Sequence, residues 1–227
     1  MLRELGFIGI FKVNPLIIGT LMFFSFLMVA FLVERVWYYL SHANWSEEFW
    51  KRLKASVQSG HIHEARTMCV QSNNVYAQVF ATVLNSTHLD RKDNEELAQI
   101  SRENQLERLR KRLGLFSTFS FISPLVGLLG TVTGIMQAFS DLGRSGSGGA
   151  NIVAAGIAEA LVATAAGILV AVPSALFYNF FTFKLRSIGL TMTNHAHELL
   201  ILVYGGENSS RTTNPSASGD PRAKAIR

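Results

Sequence analysis

The chain has 227 residues, of which 48% are hydrophobic, and its formal net charge is +5. Its apolar residues form long stretches: no charged residue occurs in Val13–Val33 or Leu113–Ser140, and only Glu159 interrupts Asn151–Phe183. These stretches reach the ~20 residues that cross a bilayer, whereas a soluble helix needs a polar face toward water. The composition therefore argues against a soluble nucleic-acid-binding domain and predicts an all-α membrane protein. The single Cys69 excludes an internal disulfide.

The first predicted element is an interfacial amphipathic helix over residues 1–12, in which Leu2, Leu5 and Ile8 recur at helical spacing. The first transmembrane helix follows over residues 13–33. We expect this helix to be retained rather than cleaved as a signal peptide, because charged and aromatic residues of an interfacial belt follow it.

A cytoplasmic helical loop is predicted over residues 34–112. Its last part, from Asp90 onward, is dense in charge, and we expect it to form a helix that leads directly into the second span. The apolar residues of this helix could fall on one stripe, which consists of Leu97, Ile100, Leu106, Leu109 and Leu113.

The second and third transmembrane helices are predicted over residues 113–140 and 151–183, joined by a flexible periplasmic linker over residues 141–150. As a helix, the third stretch would be ~50 Å long against a hydrocarbon core of ~30 Å. It should therefore project into the cytoplasm, with a helical extension over residues 184–204, and two of the three long helices would join a cytoplasmic bundle. Residues 205–227 are rich in Ser, Asn, Pro and Gly and are predicted to be a disordered tail.

Basic residues close to the spans predict the orientation, because cytoplasmic loops carry an excess of Lys and Arg. The predicted periplasmic linker has only Arg144. The predicted cytoplasmic ends carry Arg35, Arg108, Arg110, Lys111, Arg112, Lys184 and Arg186. We therefore expect the N-terminus outside and the C-terminus in the cytoplasm.

Glu159 is the main candidate for chemistry. An ionised carboxylate in the middle of a bilayer costs roughly 2.5–3.5 kcal/mol, so it is retained where something offsets or uses that cost. A group that takes up and releases protons would use it. The alternatives are that Glu159 lies near the outer interface or only forms a hydrogen bond between helices.

Small residues surround Glu159 and recur in the second span, where they permit close helix contact in lipid. The residues expected to pack the helices are Gly127, Gly130, Gly134, Gly156, Gly167, Pro124 and Pro173. Thr131 and Thr164 are polar groups deep in the second and third spans, and each could also simply bond a carbonyl of its own helix. Glu159 and Thr164 are five residues apart, about 140° around a helix, so they do not line one narrow face.

Enzyme activity is not expected, because no nucleophile and base can be paired and no metal-ligand spacing is present. The pairs His61 and His63, and His195 and His197, are expected to be solvated. Three helices are too few to enclose a polar pore, whereas a ring of identical subunits could enclose one.

Two segments carry a specific resemblance. Residues 123–136 read SPLVGLLGTVTGIM, residues 156–167 read GIAEALVATAAG, and Val172-Pro173 and Tyr178-Asn179 follow. Over residues 120–180 the chain closely resembles the MotA/TolQ/ExbB proton-channel family. Its three spans favour the ExbB/TolQ branch, since the MotA branch has four.

The resemblance implies a homopentamer in the bacterial inner membrane, around a pore that holds two ExbD- or TolR-like single-span subunits with a protonatable Asp. It implies that Thr131, Thr164 and Glu159 line the proton pathway. The implied function is to use proton-motive force, without a bound cofactor, to energise an envelope process through a TonB- or TolA-like force-transmitting protein.

Other functions stay open at this point. A proton-coupled transporter subunit would need more spans or a repeat, and a purely structural scaffold would make Glu159 dispensable. Within the family, the process energised could be nutrient uptake, envelope maintenance or gliding motility.

Overall fold

The computed structural model describes residues 15–145 and 149–212, and within these residues it contains helices and no strands. The helices are α1 Pro15–His42, α2 Glu47–Gln58, α3 Ile62–Gln71, α4 Val75–Asn85, α5 Arg91–Arg110, α6 Leu113–Ser145 and α7 Gly149–Thr212. The predicted all-α fold is confirmed. The predicted interfacial helix over residues 1–12 lies outside the described residues.

The chain divides into two compact units. The first contains the described residues up to Trp37 together with Arg110–Leu185, and the second contains Tyr38–Leu109 together with the described residues from Arg186 onward. Among the described residues, three helices, in α1, α6 and α7, are long and apolar enough to cross a membrane, as predicted.

The first unit turns large apolar side chains outward. Phe26 on α1, Phe121 on α6 and Leu169 on α7 are 71%, 72% and 75% exposed. Water would penalise such a surface by roughly 25 cal/mol for each Å² of apolar area, whereas lipid does not. The exterior of this unit therefore fits a hydrocarbon environment.

Small residues bring α6 and α7 together within the first unit. A Cβ atom added to Gly130 would lie 2.5 Å from the Cβ of Ala163, and one added to Gly134 would lie 2.9 Å from the Cβ of Ala160. An added Cβ at Gly127 would lie 2.9 Å from the carbonyl oxygen of Ala163. Hydrogen at these positions lets the two backbones approach closely, as packing in lipid requires.

The remaining residues expected to pack the helices also lie in α6 and α7. Gly156 faces Ala138, and a Cβ on Gly167 would lie 2.6 Å from the carbonyl oxygen of Ser123. Pro124 and Pro173 lie inside α6 and α7, and both helices continue through them. The first helix packs on this pair through Ile17 and Leu21, which contact Ala163.

One end of the first unit is held by a buried arginine. Arg35 is 4% exposed; its Nη1 donates to the carbonyl oxygen of Lys111 at 2.8 Å, and its Nη2 donates to Glu34 at 2.6 Å. Arg112 also pairs with Glu34, at 2.9 Å, and has a positive φ of 65°. This backbone conformation interrupts a helix, so two residues separate α5 from α6. The sequence had predicted a direct connection between them.

The second unit has a core of large side chains. Leu53, Phe80, Leu84 and Met192 are fully buried there. The helices α2 and α4 begin with side-chain caps: Ser46 accepts from the backbone N–H of Phe49, and Asn74 from that of Tyr76. These caps satisfy donors that a helix start leaves unpaired.

The buried stripe of α5 differs from the predicted one. Leu109 is buried as expected, but Leu97 and Ile100 are 36% and 52% exposed, and Asn94 and Gln105 are buried instead. Asn94 donates to the carbonyl oxygen of Val83 at 2.9 Å and to the hydroxyl of Tyr204 at 3.0 Å. The polar residue is therefore inside because it has partners there.

Three further regions differ from expectation. The linker predicted over residues 141–150 is mostly helical, since α6 reaches Ser145, α7 begins at Gly149, and Leu142 packs against Gly149. The helix α7 continues to Thr212, into the predicted tail, and residues 213–227 lie outside the described part. His195 is partly buried rather than fully solvated, because it stacks with the ring of Trp50 at 4.5 Å and also contacts Trp45.

Candidate functional site

Two of the three predicted pathway residues meet across the contact between α6 and α7. The Oγ1 atom of Thr164 donates to the carbonyl oxygen of Gly127 at 3.2 Å and lies 3.5 Å from the Oγ1 of Thr131. Thr131 in turn donates to the carbonyl oxygen of Leu128 at 2.7 Å. Both threonines are partly buried. The structure therefore links the two hydroxyls in a short polar chain between helices.

Local sequence explains why the two threonines meet. Gly127 and Thr131 are four residues apart and share one side of α6. The missing side chains of Gly127 and Gly167 allow backbone contact at this level. A Cβ on Gly127 would lie 3.1 Å from the Cα of Thr164, and a Cβ on Gly167 would lie 3.1 Å from the Cα of Gly127. Thr164 consequently reaches a carbonyl of α6.

Other threonines in the first unit show the ordinary behaviour. Thr133 donates to the carbonyl oxygens of Leu129 and Gly130, and Thr118 to that of Gly114, all within α6. Such bonds satisfy the hydroxyl within its own helix and do not link it to a neighbouring helix. Thr164 differs because its bond crosses to the neighbouring helix.

Glu159 lies away from this pair. Ala160 and Ala163, which face Gly134 and Gly130, mark the side of α7 that packs on α6. At about 100° per residue, Glu159 and Thr164 fall on opposite flanks of that side. Glu159 is exposed on the surface of the chain, and no hydrogen bond or ion pair is found for it among the described residues. A carboxylate so placed in an apolar segment needs a partner from outside this chain, or water.

Two serines lie further along the same contact, and the sequence did not single them out as sites. Ser123 and Ser174 are both 0% exposed. Ser174 donates to the carbonyl oxygen of Val170 at 2.8 Å, whereas the hydroxyl of Ser123 has no hydrogen-bond partner among the described residues. The available signal was a hydroxyl beside a proline in a span without charged residues.

The described residues contain no group of three or more His, Cys, Asp or Glu side chains that could hold a metal ion. Cys69 is buried in the second unit, and burial raises the pKa of its thiol to about 12. Since the thiolate is the reactive form, this cysteine is inert near neutral pH.

Three apolar helices joined by small residues, with a hydroxyl pair in their contact and a carboxylate on an outer flank, define a helical membrane subunit with an intramembrane polar site. The model of the MotA/TolQ/ExbB proton channel family matches residues 71–194, more than half of the chain. The chain belongs to this family, and the resemblance in its sequence is confirmed.

Individual relatives come from both the ExbB and the TolQ group. The biopolymer transport protein ExbB of Salmonella typhimurium is 32% identical over 193 residues, which cover 77% of each chain. The Tol-Pal system protein TolQ of Haemophilus influenzae is 34% identical over 105 residues, 46% of each chain. The ExbB protein of Aquifex aeolicus is 46% identical over 83 residues, 36% of this chain and 56% of that protein.

Proposed function

We propose that this chain is the stator-like proton-channel subunit of an inner-membrane motor that uses proton-motive force to energise an envelope process. The observation that carries the proposal is the hydroxyl pair of Thr131 and Thr164, 3.5 Å apart between two family-matching helices. Hydroxyls both donate and accept, so a pair linked across helices can pass a hydrogen-bonded proton where apolar side chains cannot. In this proposal the protein is not an enzyme and holds no cofactor other than the transported proton.

The position of Glu159 supports an assembly of several subunits. An intramembrane carboxylate exposed on one chain is costly in lipid, and contact with a neighbouring subunit or with a water-filled pore would offset that cost. We therefore propose a closed ring of identical chains, a pentamer by family likeness, with Glu159 at the pore or at a subunit contact. Two single-span ExbD- or TolR-like subunits, each with a protonatable Asp, would occupy the pore.

The end of the first unit that contains Arg35 supports the proposed orientation. Arg35, Lys111 and Arg112 cluster where α1 approaches the break before α6, and Lys184 lies near the end of the unit. An excess of basic residues marks the cytoplasmic side. The N-terminus would then be outside, and the second unit would be cytoplasmic.

The test is proton flux into liposomes that contain the full chain and a candidate single-span partner from a neighbouring reading frame. Under a potassium-diffusion potential, we expect the Thr164→Val variant to lower the flux at least about fivefold, because one hydroxyl link between helices is lost. Thr133→Val is the matched control, since Thr133 bonds only carbonyls of its own helix. Its flux should stay at the wild-type level.

Each result separates the proposal from an alternative. Equal flux in wild type and both variants would remove the threonine pair from the pathway. Absence of flux from an assembled wild-type complex, even with a force-transmitting protein added, would favour a structural scaffold, and Glu159→Gln would then be silent in cells. Flux that requires a solute would indicate a coupled transporter.

Among the family's processes, TonB-dependent uptake and Tol-Pal-type envelope maintenance are the ones we propose first. Relatives named for biopolymer transport and for the Tol-Pal system both match this chain. Deletion in the native host separates the two, because the first predicts loss of growth on a scarce nutrient and the second predicts leakage of periplasmic proteins. A gliding motor would instead lose surface movement.

A further inference from the structure

Ser123 carries a buried hydroxyl that is not part of the hydroxyl pair of Thr131 and Thr164. It is fully buried in α6, and its oxygen has no hydrogen-bond partner among the described residues. An unpaired hydroxyl in an apolar interior costs free energy, and native proteins pair such groups with protein or water. Ser123 is therefore placed where a small polar partner is needed.

The neighbouring backbone offers a carbonyl that lacks its usual helical donor. Pro124 has no backbone N–H, so the carbonyl of Ser120 lacks the donor that an uninterrupted helix would supply. Side chains on a helix lean toward its N-terminus, which directs the hydroxyl of Ser123 toward the carbonyls of the preceding turn. The hydroxyl of Ser123 makes no direct hydrogen bond to these carbonyls, so a water could join it to the carbonyl of Ser120; a buried water needs about two to four such partners.

Ser123 lies on the same helix contact as the threonines. Gly127, whose carbonyl accepts from Thr164, is one turn from Ser123, a rise of about 6 Å along α6. The Ser123 backbone touches α7, since a Cβ on Gly167 would lie 2.6 Å from its carbonyl oxygen. Thr131, Gly127 and Ser123 follow each other at four-residue spacing.

We propose that Ser123 and the carbonyl of Ser120 bind a water molecule that extends the proton pathway from the threonine pair toward the Leu113 end of α6. This inference rests on the proposed function for its role in transport. The site itself, a water held between α6 and α7, is a separate physical claim and is tested separately.

The first measurement detects the water directly. In water-edited solid-state NMR of the full chain in lipid, magnetisation from water should reach the Ser123 and Gly127 amides, and Ser123→Ala should lower that transfer about fivefold, as expected when the donor is lost. Ser174→Ala is the matched control, because Ser174 is equally buried but already bonded to Val170. No transfer to Ser123 in the wild type would overturn the proposal, and would mean that the hydroxyl turns onto a carbonyl of its own helix.

The second measurement tests the role in transport. In the liposome assay, Ser123→Ala should lower proton flux about fivefold while the amount of assembled complex stays constant, and Ser174→Ala should leave flux unchanged. Equal losses in both variants would indicate a packing effect and overturn the transport role. Loss of flux in Thr164→Val but not in Ser123→Ala would also overturn the transport role of Ser123, while the proposed function would stand. Absence of flux in the wild type would count against the proposed function. The NMR result would still decide whether the water site exists.

Discussion

The two units of this chain differ in their helix contacts, although both bury some large side chains, such as Phe116 in the first and Phe80 in the second. In the first unit, Gly127, Gly130 and Ala163 fill the contact between α6 and α7, and large apolar residues such as Phe121 face outward. In the second unit, large residues such as Phe80 are inside.

The difference fits the surroundings that we propose for each unit, lipid for the first and water for the second. In water, burying large apolar side chains drives helices together, at roughly 25 cal/mol for each Å². In lipid that driving force is missing, so helices associate through close van der Waals contact and hydrogen bonds between helices. The contact between α6 and α7 in the first unit therefore depends on glycine, and the hydrogen bond from Thr164 to Gly127 joins the same two helices.

The largest effect is expected from a side chain added to the α6–α7 contact. Gly167→Val places carbon against the backbone of Ser123, where even one Cβ would lie 2.6 Å from a carbonyl oxygen. Overpacking by a methylene costs roughly 1–3 kcal/mol, and a clash with backbone costs more because backbone cannot turn aside. We expect size-exclusion chromatography in detergent to recover no monodisperse protein.

Gly114→Val is the control for that substitution. A Cβ on Gly114 meets nothing within 4 Å, although the residue lies on the same helix pair. The control should give a normal elution profile. If Gly167→Val eluted like the control, close contact between α6 and α7 would not hold the first unit together.

The next effect should fall on the second unit. Leu53→Ala removes a fully buried side chain, which typically costs about 2–5 kcal/mol of unfolding free energy. Leu128→Ala in α6 removes a side chain that is 55% exposed and faces outward, so we expect little change in lipid. Thermal unfolding followed by circular dichroism in lipid nanodiscs compares the two. A larger loss of stability for Leu128→Ala would contradict the assignment of lipid and water to the two units.

Most of the fold could be predicted from the sequence because its signals are long-range and physical. Charge-free stretches of spanning length predict membrane helices, and α1, α6 and α7 have the expected length and apolar character. The break at Arg112 was not predicted, since a positive φ at a non-glycine residue depends on contacts such as that of Arg35 with Lys111. Helical packing also extended α6 and α7 into a linker whose composition indicated flexibility.

The candidate site could be predicted in part. Helical geometry alone separates Glu159 from Thr164 by about 140°, and the two lie on different flanks of the packed side of α7. The bond of Thr164 to Gly127 requires the register of two helices against each other, which periodicity within one helix does not contain. For the same reason the unpaired hydroxyl of Ser123 was visible only after folding.

The smallest effect tests the stripe of α5, where sequence and structure disagree. Leu97 looked like a core residue, yet Asn94 is fully buried and donates to Val83 and Tyr204, whose hydroxyl donates to the carbonyl of Leu89 at 2.9 Å. Removing one member of a buried hydrogen-bonded set leaves its partners unsatisfied, at about 1–3 kcal/mol.

We therefore expect Asn94→Ala to lower the unfolding temperature of the second unit clearly, and Leu97→Ala to change it little. The comparison is sharp because hydrophobicity alone orders the two substitutions in the opposite way. If Leu97→Ala were the more harmful change, the apolar stripe expected from the sequence would be the packed one, and α5 would have to rotate about its axis. Equal small effects would mean that the hydrogen bonds of Asn94 add little to the free energy of unfolding. Water would then enter the site and replace the lost partners, because exchanging protein for water hydrogen bonds is nearly neutral.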